Sequence, residues 1–294
     1  MRSFAAVSDQ LHHDIFDRGL TFDLATIVDR RRVLALGAGV LTTIAIAACG
    51  DDDGADTSTG ADPVATSDSA SGTTTGTTGG TVDEMSCMVI PEETAGPYPG
   101  DGSNGVDVLT ESGVVRGDIR SSFGSSTSAA EGVPLIVSLS VVDSADGCAP
   151  LAGAAVYLWH CDREGRYSMY SAGVENENYL RGVQETAADG TVSFTSIYPG
   201  CYPGRWPHIH FEVYESVDDI TSATNAIATS QLAFPEDVCA VVYTEEGYEG
   251  SVGNLSQISL DRDNVFSDDG AAQQLATLTG AAADGYTATL TIVV

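Results

Sequence analysis

The feature that most limits the fold is a succession of short β-prone runs, each cut off by turn residues. Runs at 134–142, 155–159, 191–197, 208–214 and 286–294 are rich in β-branched and aromatic side chains. Most are bounded by Gly, Asp, Asn or Pro. Asp189-Gly190, just ahead of 191–197, is a strong hairpin-type turn signal. No fixed-period repeat and no long amphipathic helix accompanies them. Hydrophobic residues make up 43% of the 294, enough for a sizeable core, and Gly is abundant at 32. The expected fold is all-β: an antiparallel β-sandwich with long loops and little helix.

That pattern begins only at about residue 86. Ahead of it, Arg30-Arg31-Arg32 precedes an apolar stretch of 16 residues, Val33 to Ala48. A membrane span needs about 20 residues, so this length suits the core of a signal peptide. The paired arginines resemble a twin-arginine export signal. The stretch ends Ile46-Ala47-Ala48-Cys49, which looks like a bacterial lipobox whose Cys becomes a lipidated N-terminus. Residues 50–85 are mostly Gly, Thr, Ser, Ala and Asp and carry hardly a large apolar side chain. Such a segment cannot bury enough surface to offset its ordering entropy, so a disordered tether is expected. The expected organisation is a signal peptide over 1–49, a tether over 50–85 and one folded domain over 86–294. The protein would be exported, extracytoplasmic and held to the cell membrane by its N-terminal lipid alone.

All 12 basic residues are Arg, against 42 acidic residues, for a formal charge of -30. Such a surface repels phosphate backbones, which argues against a nucleic-acid partner. It favours solubility and says little about fold. Beyond Cys49 lie Cys87, Cys148, Cys161, Cys201 and Cys239. In an oxidising compartment disulfides are expected, and an odd number leaves at least one thiol free. A bridge between Cys161 and Cys201 is one pairing open to the chain; spacing does not fix the connectivity.

The chemistry concentrates in Tyr198-Pro199-Gly200-Cys201-Tyr202-Pro203-Gly204-Arg205-Trp206-Pro207-His208-Ile209-His210. On a strand, residues two apart share a face, so His208 and His210 reach one metal while Ile209 enters the core. Imidazole suits Zn, Cu, Fe and Ni alike, so the pair leaves the metal open. A phenol with pKa near 10 needs a hard, highly charged cation to be deprotonated and bind. Two His with two Tyr, Tyr167 and Tyr202, therefore favour Fe(III).

Several segments carry a wider likeness. They are Thr94-Ala95-Gly96-Pro97-Tyr98, the run from Val156 to Tyr167, the run from Asp189 to His210, and Gln231-Leu232-Ala233-Phe234. Together they resemble the intradiol ring-cleavage dioxygenases, the family of protocatechuate 3,4-dioxygenase and catechol 1,2-dioxygenase. The resemblance implies one Fe(III) per chain, with Tyr167 and His208 as equatorial ligands and Tyr202 and His210 as axial ones. It implies an active-site arginine at Arg205, which with Tyr202 would take part in catalysis. Substrate-pocket roles would fall to Thr94, Tyr98 and Gln231, and His160 would be structural. The implied reaction opens a catechol with dioxygen to a cis,cis-muconate-type diacid, both oxygen atoms entering the product. The signal and tether occupy the place of the helical N-terminal domain of catechol 1,2-dioxygenases. A homo-oligomer is compatible with this pattern. The competing reading is a cell-surface β-sandwich binding protein that keeps the metal site without turnover.

Overall fold

The structure, a computed structural model, describes residues 87–294. The signal-peptide and tether expectations for 1–49 and 50–85 lie outside the described residues.

Two sheets face each other. The first joins β1 (Pro134–Asp143), β2 (Ala149–Pro150), β5 (Thr191–Ile197), β8 (Thr277–Ala281) and β9 (Gly285–Val293). The second runs β4 (Arg181–Glu185), β3 (Ala155–Trp159), β6 (His208–Tyr214), β7 (Ala228–Ala233). The expected all-β sandwich is what the chain forms, with one departure from strict antiparallel order: β1 and β9 pair parallel, with Leu135 opposite Tyr286. Two helices of seven residues, α1 (Glu236–Val242) and α2 (Glu249–Leu255), follow β7. Among the described residues no helix is long and apolar enough to cross a membrane.

The runs read from sequence become strands because their alternation matches the pleat. Along β1, Leu135, Val137, Leu139 and Val141 are buried while Pro134 and Ile136 are exposed. These four pack with Val156, Leu158, Ile209, Phe211 and Val213 of the other sheet, forming the sandwich interior. All five residues of β3 are buried, so its outer face is covered as well. The cover is a second apolar layer in which Ala155, Tyr157 and Trp159 meet Val108, Leu109, Val114 and Tyr167. The outer face of the second sheet is therefore a floor roofed by loops.

Two loops and a strap make that roof. One loop joins β3 to β4 and carries Tyr167; another joins β5 to β6 and carries Tyr202. The strap is the segment from Cys87 to Tyr98. It is tied at Ile90 N to Val293 O (2.9 Å) and at Glu93 N to Thr229 O (2.7 Å). At its start Cys87 is bridged to Cys148, next to the β1–β2 turn. Cys161, Cys201 and Cys239 are free and buried, so the Cys161–Cys201 bridge does not form. Each of those two thiols faces a carbonyl instead, Cys161 that of Gly200 (3.4 Å) and Cys201 that of Arg205 (3.5 Å).

Candidate metal centre

β6 places His208 and His210 on the roofed face, both nearly inaccessible, and turns Ile209 into the sandwich interior. The one-face pairing expected from their spacing is observed. His208 Nε2 lies 3.1 Å from His210 Nε2, 3.2 Å from Tyr202 Oη and 3.5 Å from Tyr167 Oη. Arg205 Nη1 is 3.4 Å from the same nitrogen. Residues as far apart in the chain as Tyr167 and His210 thus bring four ligand-type atoms to one point.

Hydrogen bonding alone does not explain this crowd. His208 Nδ1 is paired with the Trp206 carbonyl, which makes it the protonated nitrogen and leaves a lone pair on Nε2. One lone pair cannot serve four polar neighbours. Burial pushes both imidazoles well below their ordinary pKa, so both are neutral. The two imidazole nitrogens facing each other at 3.1 Å, with both tyrosine hydroxyls beside them, form a donor set that one cation could share. Burial also pushes the Tyr167 and Tyr202 phenols up, and a bound trivalent cation would invert that preference. Among the described residues no group of three His, Cys, Asp or Glu side chains is placed to hold a metal ion. The tyrosines are therefore indispensable to a metal centre here, and the donor set fits ferric iron by hardness.

Each donor is held from behind. Trp159 of β3, opposite His210 in the ladder, stacks on its ring at 4.9 Å and 7°, and on Tyr157 at 4.9 Å. The Tyr167 loop is organised by Asp162, whose carboxylate accepts from Glu164 N (3.0 Å), Arg166 N (2.9 Å) and Tyr179 Oη (3.1 Å). Two residues past Tyr167, Met169 adopts φ 72°, a left-handed conformation costing a side chain about 1–2 kcal/mol. The two ligand-bearing loops touch at Gly200, where a Cβ would sit 2.5 Å from the Arg163 carbonyl oxygen. Only glycine permits that approach.

Arg205 is buried rather than a solvated ion pair. Its Nε meets Asp263 Oδ2 at 2.9 Å, and its Nη2 meets Gln231 Oε1 at 2.6 Å. Burial works against its charge, but neighbouring Tyr202 and Asp263 outweigh that and raise its pKa. Gln231 is fully buried and donates from Nε2 to the Thr94 carbonyl (2.9 Å). The Thr94 hydroxyl accepts from Gly96 N (3.0 Å), which shapes the strap's turn. The Tyr98 ring lies 5.1 Å from that of Tyr167 and 5.2 Å from that of Tyr170. Thus Thr94, Tyr98, Arg205 and Gln231 all gather around the four donors. His160 lies apart from the cluster, between the Cys161 carbonyl and Ser196 Oγ at 2.7 Å each, which is a structural role.

Sequence reasoning passed over three supports: Trp159, Asp263 and Arg181. Arg181, fully buried, donates to the Tyr98, Pro99 and Ser168 carbonyls (2.9, 2.7 and 3.0 Å) and so pins the strap to the Tyr167 loop.

Known proteins resemble part of this chain. The family model for Dioxygenase matches residues 122–241. Catechol 1,2-dioxygenase 1 of Acinetobacter lwoffii is 38% identical over 99 residues, covering 27% of this chain and 31% of the relative. Chlorocatechol 1,2-dioxygenase of Rhodococcus opacus is 38% identical over 53 residues, covering 18% of this chain and 21% of the relative. The aligned stretches thus span under a third of those curated relatives. An intradiol ring-cleavage dioxygenase structure from Tetranychus urticae superimposes with a TM-score of 0.56 at 25% identity, covering 70% of this chain and 94% of that one. Over these stretches the chain is similar to the intradiol ring-cleavage dioxygenases.

Proposed function

We propose that this chain is a ferric-iron-dependent dioxygenase that opens catechol-type diols with dioxygen, giving cis,cis-muconate-type diacids. The observation that carries it is the meeting of Tyr167, Tyr202, His208 and His210 at one point, with Arg205 facing the same point. Those four side chains would hold the iron. Bound Fe(III) would supply a Lewis-acidic centre that chelates both catechol oxygens and makes the ring reactive towards dioxygen.

The residues of this chain do the rest. His208 and His210 are kept neutral by burial and offer lone pairs at Nε2. Tyr202, half-buried where Tyr167 is 2% exposed, would be the residue placed to take a catechol proton at Oη. Arg205 directs Nη1 at the donors, where it stabilises negative charge developing on the substrate. Tyr98 packs its ring against Tyr167, and Tyr170 packs against Tyr98 in turn, which covers that side of the site.

The reading includes export as a membrane-tethered lipoprotein. The Cys87–Cys148 disulfide supports it, since such bridges persist in oxidising compartments. The test is metal analysis and absorption spectroscopy of purified protein, followed by oxygen uptake with catechol. One iron per chain, a purple-red tyrosinate band lost in Tyr167→Phe and Tyr202→Phe, and oxygen consumption are expected. Iron-loaded protein without that band would sink the proposal. Coloured protein that consumes no oxygen would instead make it a binding module.

A further inference from the structure

Asp263 lies beyond the matched residues 122–241, and its carboxylate is completely buried. It faces two things at once. Oδ2 accepts from Arg205 Nε (2.9 Å) and from Trp206 N (2.6 Å). Oδ1 accepts from Val265 N (2.9 Å) and Phe266 N (3.2 Å), closing its own turn. That turn delivers the Phe266 ring against His208, at 6.4 Å, and beneath the Arg205 guanidinium, at 5.9 Å.

The guanidinium has three edges. Nε is taken by Asp263, and Nη2 by Gln231 with a longer contact to Asp263 (3.4 Å). Nη1 is the edge left to face the donor cluster. A guanidinium is a planar fork, so fixing two edges fixes the direction of the third. Gln231 supplies one neutral contact; Asp263 supplies the charged one and ties Arg205 to the Trp206 backbone leading into β6.

We infer that Asp263 is a positioning residue: it aims Arg205 Nη1 at the substrate through the Nε–carboxylate contact and does not itself touch substrate. The inference rests on the proposed function, because the group being aimed is the one assigned to stabilise substrate charge. Its effect belongs in turnover rather than in metal binding, since none of the four donor atoms bonds to Asp263.

The test is a double-mutant cycle of Asp263→Asn and Arg205→Lys. Asn keeps an acceptor for the 263–266 turn but presents an amide to Arg205, so it separates capping from aiming. Asp263→Asn should keep iron content and the visible band while lowering kcat roughly 10–100-fold, with KM little changed. In the Arg205→Lys background the same substitution should cost almost nothing further. Losses that multiply, or Asp263→Asn within about twofold of the parent, would overturn the inference. Should Asp263→Asn fail to fold, Asp263→Glu keeps the charge at a shifted position and should show a smaller loss of kcat. Should the parent consume no oxygen, the proposed function falls, and thermal unfolding of the same cycle decides the Asp263–Arg205 link. A melting shift from Asp263→Asn that shrinks in the Arg205→Lys background supports the link; an undiminished shift refutes it.

Discussion

Removing the Cys87–Cys148 bridge with a paired Cys87→Ser and Cys148→Ser change is the perturbation whose size follows most directly from the chain. The bridge closes a loop with a sequence separation of 61. Loop-closure entropy for that length gives a loss of about 4 kcal/mol at room temperature. Against a typical domain stability of about 5–15 kcal/mol, this is a large share. The loss acts by freeing the unfolded chain, so the native site should stay intact at low denaturant. The strap is independently tied by Ile90 N to Val293 O, by Ser230 Oγ to Pro91 O (2.7 Å) and by Gln231 to Thr94. Urea unfolding followed by tryptophan fluorescence is the assay. The double variant and the reduced parent should share a much lower midpoint, with the visible iron band unchanged before the transition. A midpoint equal to that of the oxidised parent would refute the reasoning. A band lost without urea would show that the bridge holds the site and not only the unfolded ensemble.

Other outcomes follow from the same contacts. Trp159→Ala should cost about 3–5 kcal/mol in thermal unfolding and weaken iron binding through His210, while Trp159→Phe keeps a ring there and loses less. Burial, then Asp268, pushes the Glu93 carboxyl up to about 8. The fold therefore holds a proton that the unfolded chain releases, so this part of stability, full below about 4.5, is lost as pH rises through 8. Glu93→Gln should flatten that slope in pH-dependent unfolding; an unchanged slope would contradict the assignment. A chain of formal charge -30 repels anions, so kcat/KM for a carboxylate-bearing catechol should rise with added salt while that for neutral catechol stays flat.

Much of the sandwich was legible because its long strands carry their own pattern. β3, β5 and β6 begin and end where the sequence places them, and β1 differs by one residue at its end. β4 and β7 were not, and the reason is polar burial. Arg181 at the head of β4 is satisfied by carbonyls, and Thr229, Ser230 and Gln231 of β7 are buried against the strap and Arg205. Their polarity serves the site, so they lack the apolar signature of a strand. β8 is largely exposed and includes Gly280, which leaves little periodicity to read.

The convergence of Tyr167, Tyr202, His208 and His210 was legible through residue chemistry and family likeness, since distance along the chain hides that Tyr167 meets His208. Asp263 was not, because it stands 58 residues from Arg205 in an ordinary acidic turn. The disulfide was equally hidden: Cys87 and Cys148 come within 5.8 Å at Cα only because the strap returns to the β1–β2 turn.

The central claim is tested most directly by product analysis of catechol turned over under heavy-oxygen-labelled dioxygen. The account predicts cis,cis-muconic acid carrying both labelled atoms, formed by the parent and lost in Tyr167→Phe and His208→Ala. A muconic semialdehyde, or a diacid without label, would contradict it.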